Sequence, residues 1–111
     1  MRDDAEFDEP CYVISIVARM VGMHAQTLRQ YERIGLVEPK RTPGNIRMYS
    51  PADVARLRTV QRLIADLGVN LAGVEVILQM RERMQAMEEE LERLRREIQR
   101  ERDRRLPAPR E

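Results

Sequence analysis

Seven apolar residues near the C-terminal end, Ile77, Met80, Met84, Met87, Leu91, Leu94 and Ile98, recur in alternating steps of three and four. That spacing is the heptad signature of a helix with one apolar seam, and it excludes a strand, whose side chains alternate with period two. A helix of about three heptads cannot cover its own stripe. The segment therefore expects either a packed core or a second copy of the chain. In 111 residues there is room for one small domain, which buries only a modest share of its surface, so the second copy is favoured.

Composition supports a mostly helical chain. Charged residues make up 35% and aromatic residues 4%, a balance that suits solvated helices better than a thick sheet core. The overall charge of +1 conceals an uneven distribution. Residues 1–10 sum to −4 and read as a disordered acidic arm, residues 11–62 carry nine Lys/Arg against three acids for a net +6, and residues 63–111 come to −1. A basic segment beside a near-neutral tail points to a polyanion as the partner of that segment. Cys11 cannot form a disulfide within the chain, and with His24 as the one histidine a closed metal site is not expected. No cofactor is expected either. No stretch reaches the roughly 18 apolar residues of a membrane span, and the acidic start is unlike a secretory leader. The expected compartment is the cytoplasm, with no membrane partner.

Glycine and proline punctuate the basic segment. Ile16, Val17, Met20 and Val21 follow Ser15, read as an N-cap, and stop at Gly22. A second helix is expected from about Ala25 to Ile34, with Leu28, Tyr31 and Ile34 inward and Gly35 as its end. Two short helices joined by a tight glycine turn make a helix-turn-helix. Pro39, Pro43 and Gly44-Asn45 then separate two β-prone pieces, Leu36-Val37 and Ile46–Tyr49, which predicts a β-hairpin with a basic tip. Ser50-Pro51-Ala52-Asp53 opens a third helix as a capping box with proline at its first position. Its apolar face is read as Val54, Leu57, Val60, Leu63, Ile64 and Leu67, ending at Gly68. Asn70 caps the next helix, which buries Leu71, Val74, Ile77 and Leu78. The final segment contains two prolines and is expected to fray from residue 106.

The second helix displays Gln26, Thr27, Arg29, Gln30 and Arg33 on the faces left by its apolar residues. Arginine can pair bidentately with guanine and glutamine with adenine, while threonine can meet a phosphate or a thymine methyl. A solvated helix face would show the same residues. The following hairpin favours nucleic acid, because Lys40, Arg41, Asn45 and Arg47 lie on or beside its turn, where a wing can reach phosphates. No grouping of acid, base, nucleophile or metal ligands suggests an enzyme. Cys11 and the methionines read as packing residues.

The stretch from Ile14 to Leu78 resembles the MerR family of winged-helix transcription regulators, on "TLRQYERIGLV", the arginine and tyrosine of "IRMYS", and "LGVNLAGV". Within that family "YVIS", "QTLRQYERIGLV", "YS" and "NLAG" are most similar to the heat-shock repressor subgroup called HspR. The resemblance implies a homodimeric repressor of chaperone genes that binds double-stranded DNA at an inverted-repeat operator, with the Hsp70-type chaperone DnaK as a possible co-repressor. By position it places His24, Gln26, Thr27, Arg29, Gln30 and Arg33 at the major groove, and Arg41, Asn45, Arg47 and Tyr49 on the backbone. Other family members often carry tyrosine where Gln30 stands, so one backbone contact is replaced or lost. Metal- and redox-sensing members carry cysteines near the dimerisation helix; none follows Cys11 here. No small-molecule ligand is expected, since the heptads end about ten residues before the chain does.

The expected organisation is thus an acidic arm over 1–10, a winged helix-turn-helix domain over 11–79, a coiled-coil dimerisation helix over 80–105 and a frayed tail over 106–111. With Ile77, Met84, Leu91 and Ile98 at a and Met80, Met87 and Leu94 at d, a parallel dimer would pair Arg83 with Glu88, Glu90 with Arg95 and Glu97 with Arg102. The resemblance implies an antiparallel coil instead, and surface pairs worth about 0.2 to 1 kcal/mol apiece do not outweigh it. Two rival functions remain at this level: a chaperone-interaction adaptor whose basic region is solvated surface, and an excisionase-like protein that bends DNA.

Overall fold

The computed structural model describes residues 7–107. In chain order it contains β1 (Tyr12–Val13), α1 (Ile14–Val21), α2 (Ala25–Arg33), β2 (Lys40–Arg41), β3 (Arg47–Tyr49), α3 (Pro51–Ala65) and α4 (Leu71–Arg105). The chain divides into two compact units, Met1–Val74 and Glu75–Glu111. No described helix is long and apolar enough to cross a membrane.

In the first unit α1 is the hub, packing against α2, α3, β1 and β3. Its two inward residues, Val17 and Val21, are buried with Leu28 and Tyr31 of α2, Val54, Leu57 and Val60 of α3, and Leu36, Val37, Tyr49 and Val74. Burying a leucine such as Leu28 or Leu57 is worth about 1.5 to 3 kcal/mol, so this cluster sets the angle between the two short helices. Both end as the glycines predict. Gly22 takes φ +67°, and the Met23 N–H donates to Ala18 O at 3.0 Å, a Schellman closure that only a residue tolerant of the left-handed region makes cheaply. An added Cβ would meet nothing nearer than Gln61 Nε2 at 3.7 Å, so backbone conformation and not space selects glycine there.

The capping box is present in full. Ser50 Oγ accepts from the Asp53 N–H at 3.1 Å, and Asp53 Oδ2 accepts from the Ser50 N–H at 2.9 Å. Asn70 caps α4 as expected, accepting from the Gly73 N–H at 2.7 Å. A Cβ on Gly73 would lie 2.8 Å from Val69 Cγ1 and 3.2 Å from Asn70 Oδ1, so glycine at this position lets the cap close.

Several expectations are corrected. Ser15 lies inside α1; the N-cap is Val13, which offers no side-chain bond. Ile34 and Leu67 are 40% and 71% exposed, because α2 stops at Arg33 and α3 at Ala65 before either residue turns inward. Leu36-Val37 is not a strand. The Leu36 N–H donates to Tyr31 O and the Gly35 N–H to Glu32 O, the Schellman pattern in which the residue after the left-handed glycine packs back on the helix. That accounts for the burial of Leu36 and Val37. The hairpin therefore pairs β2 with β3, Lys40 opposite Met48 and Arg41 opposite Arg47. A third strand, β1, lies on the other edge of β3, with Tyr12 opposite Tyr49.

In the second unit, Glu75–Glu111, α4 continues without a break through Arg105 and fits a coiled-coil helix. Of the predicted seam, Ile77 is half-buried, while Met80, Met84, Met87, Leu91, Leu94 and Ile98 are 42–62% exposed. Arg93 bonds both Glu90 and Glu97 on its own helix. These are two of the three glutamates that a parallel coil would use between helices, and each already has a partner on its own helix. The Arg93 hydrogen bond holds the Glu90 carboxyl below its ordinary range. Positions 1–6 of the expected acidic arm and 108–111 of the expected frayed tail lie outside the described residues.

Candidate nucleic-acid interface

Helix α2 is strongly two-sided. At about 100° per residue, Gln26, Arg29, Gln30 and Arg33 fall within one arc of about 100°, opposite the buried anchors Leu28 and Tyr31. All four are exposed, Thr27 is half-buried on one flank, and His24 is exposed at the N-cap. Among the described residues the side chains of Gln26, Arg29, Gln30 and Arg33 make no hydrogen bond or ion pair. Their donors and acceptors remain unused on a rigid, convex rod, which is the form needed to enter a groove about 12 Å wide.

The wing is placed beside this rod by side-chain bonds. Thr42 accepts from the Asn45 N–H at 2.8 Å and donates its own N–H to Ile46 O at 2.9 Å, while Thr42 Oγ1 accepts from the Ile46 N–H at 3.2 Å. Asn45 takes φ 64°, a left-handed turn conformation that asparagine tolerates. Lys40 and Asn45 are exposed. Arg41 donates to Asn45 O and Oδ1, both at 3.4 Å, and through Nη2 to Glu32 Oε1 at 3.3 Å. Arg47 donates through Nε to the other oxygen, Glu32 Oε2. One carboxylate at the end of α2 thus holds both wing arginines, whose side chains stay 39% and 28% exposed. The loop between α2 and the wing is tied at a second point, where Arg56 Nε of α3 donates to Leu36 O.

The structure therefore brings His24, Gln26, Thr27, Arg29, Gln30 and Arg33 onto one short helix, with Lys40, Arg41, Asn45 and Arg47 on the adjoining hairpin. It does not bring Tyr49 to the surface. Tyr49 is fully buried, and its hydroxyl has no hydrogen-bond partner among the described residues, so the expected backbone contact is withdrawn. The alternation of β3 turns Tyr49 inward onto the core, against the hub helix. Burial, and next the charge of Glu32, raises its phenol above the ordinary value of 10.0. Glu32, which bonds both wing arginines, is not singled out by the sequence. Its signal is indirect: a hairpin register that sets Arg41 opposite Arg47 places two like charges together and requires an anion nearby. No group of His, Cys, Asp or Glu suited to a metal is found among the described residues.

Residues 12–81 match the family model described as MerR HTH family regulatory protein. Over 73 residues, 66% of this chain, the sequence is 53% identical to a Streptomyces coelicolor protein carrying the provisional name heat shock protein HspR. The chain spans 48% of that relative's length. Among solved structures, it is similar to the transcription regulator PbrR691 from Ralstonia metallidurans CH34 in complex with lead(II), with a TM-score of 0.60, 26% identity, and coverage of 90% of this chain and 91% of that one. The fold also matches HiNmlR, a MerR family regulator lacking the sensor domain and bound to promoter DNA, at a TM-score of 0.58 and 22% identity, covering 83% and 76% of the two chains.

Proposed function

This chain is a member of the MerR family of HTH transcription regulators, and on that footing we propose that it is a sequence-specific repressor of heat-shock and chaperone genes, acting as a homodimer on an inverted-repeat operator. The observation that carries the DNA-reading role is the unpaired face of Gln26, Arg29, Gln30 and Arg33 beside the two clamped arginines of the wing. The heat-shock assignment is supported by the 53% identity to the HspR-named protein. The dimer is supported by the exposed stripe from Met80 to Ile98, which a second α4 would cover by knobs-into-holes packing.

In this reading Arg29, Gln26 and Gln30 choose the sequence from the major groove, while Lys40, Arg41, Asn45 and Arg47 set register on phosphates. His24, Thr27 and Arg33 flank the groove contact. Pairing with DnaK as co-repressor belongs to the same proposal and rests on the resemblance. The test is Arg29→Ala, assayed by fluorescence anisotropy on an operator duplex and on a scrambled duplex. A bidentate base contact is worth about 1 to 3 kcal/mol, so operator affinity should fall roughly 5- to 150-fold while binding to the scrambled duplex falls little. Equal losses on both would remove Arg29 from base reading.

A further inference from the structure

The wing meets α2 through one carboxylate, and the geometry of that contact has a functional consequence. Arg41 and Arg47 are direct cross-strand partners. Two guanidinium groups so placed repel each other and would splay apart. Glu32, nine residues before one and fifteen before the other, gives one oxygen to each. Its side chain is 18% exposed, and the bond to Arg47 is part-buried while the bond to Arg41 is exposed; charge-assisted bonds of this kind are about twice as strong as neutral ones. Glu32 sits on α2 next to Arg29 around the helix, on the flank between the reading face and the buried face. The carboxylate therefore fixes the wing's cations relative to the very rod that presents the base-reading side chains.

We propose that Glu32 is a positioning residue for DNA recognition: by clamping Arg41 and Arg47 to the end of α2 it sets the distance between the phosphate-binding wing and the base-reading face, and by cancelling one of their two charges it lowers affinity for DNA of unrelated sequence. This rests on the DNA-reading role proposed above. Two effects of opposite sign follow. The clamp preorganises the wing, so phosphate and base contacts form together only where the sequence suits α2, which strengthens operator binding. The same carboxylate takes up N–H groups and charge that would otherwise serve any phosphate, which weakens sequence-independent binding, a term that is almost wholly electrostatic. A residue that only helps the domain fold would move both affinities in the same direction.

The test compares Glu32→Gln and Glu32→Asp with the natural chain on two duplexes, an inverted repeat selected by the natural chain from random-sequence DNA and a scrambled duplex of equal length, across a salt series. Glu32→Gln should weaken binding to the selected duplex about tenfold, strengthen binding to the scrambled one several-fold, and steepen its salt dependence by about 0.9 in slope for one phosphate gained. Glu32→Asp keeps the charge but is one methylene too short to span both arginines, so it should lose selected-duplex affinity without gaining scrambled-duplex affinity. In the free protein, the Arg47 Nε–H resonance should be protected from exchange in the natural chain and lose that protection in Glu32→Gln. Parallel losses on both duplexes, or full affinity in Glu32→Asp, would overturn the proposal. Failure of the natural chain to enrich any duplex would overturn the DNA-reading role beneath it. A natural chain that selects a duplex which Glu32→Gln binds equally well would overturn the clamp and leave that role standing.

Discussion

Tyr49→Phe removes one oxygen atom from the middle of the first unit, and its effect can be worked from burial. The side chain is fully buried and its hydroxyl has no partner among the described residues, so the native fold carries the desolvation cost of a polar group without a bond in return. That cost is about 1 to 3 kcal/mol. Against it stands the void left by the oxygen, on the order of 15 Å³, which at ~24 cal/mol per Å³ amounts to about 0.4 kcal/mol. The variant should therefore be more stable by about 1 kcal/mol at neutral pH, raising Tm by about 4 to 8 °C in a domain of this size. A second signature comes from titration. Burial first, then the charge of Glu32, raises the Tyr49 phenol above its ordinary value of 10.0, so above that pH the folded chain keeps a proton that the unfolded chain has released. The unfolded state then binds fewer protons and stability falls as pH rises. Below the ordinary value the protonated phenol contributes no such slope. Urea denaturation of both proteins at pH 7 and at several values above 10 should show the natural chain losing stability more steeply than Tyr49→Phe, the difference isolating this phenol from other titrating groups. A variant less stable than the natural chain at pH 7 would mean that the hydroxyl has a partner, and a loss of DNA affinity in a folded variant would return Tyr49 to the interface.

Two further perturbations test the α3 cap and the α4 stripe. Ser50→Ala removes the acceptor for the Asp53 N–H and should cost about 1 kcal/mol in thermal denaturation; an unchanged Tm would show that the capping box contributes nothing to stability. Leu91→Lys puts a charge at the middle of the exposed α4 stripe, where a coiled-coil seam has no place for it. Sedimentation should then shift from dimer towards monomer and operator affinity should fall with it, whereas a dimer of unchanged strength would place the contact elsewhere.

What the sequence disclosed well was local or periodic. Ser50 and Asp53 sit three residues apart and cap each other wherever the helix begins, and Gly22 and Gly35 mark left-handed exits that few other residues tolerate. The α4 stripe is a simple period, legible over its whole length. The misplacements arose where a short apolar pair has two uses. Leu36-Val37 reads as a strand by β propensity, yet it serves as the anchor that closes α2, and that choice moves the first wing strand to Lys40–Arg41. The motif position of Tyr49 points to the DNA backbone, but the pleat of β3 decides which way it faces, and it faces the core. In the sequence Glu32 is one acid within a basic segment. Its role depends on arginines nine and fifteen residues away, and that proximity exists only once the hairpin register is known.

The most direct measurement is a hydroxyl-radical footprint of the purified chain on genomic fragments that it enriches. A dimeric repressor should leave two protected patches related by two-fold symmetry, centred about one helical turn or a multiple of it apart, upstream of chaperone genes, with protection lost in Leu91→Lys. Protection of a single asymmetric patch, or fragments enriched without any shared sequence, would contradict that assignment.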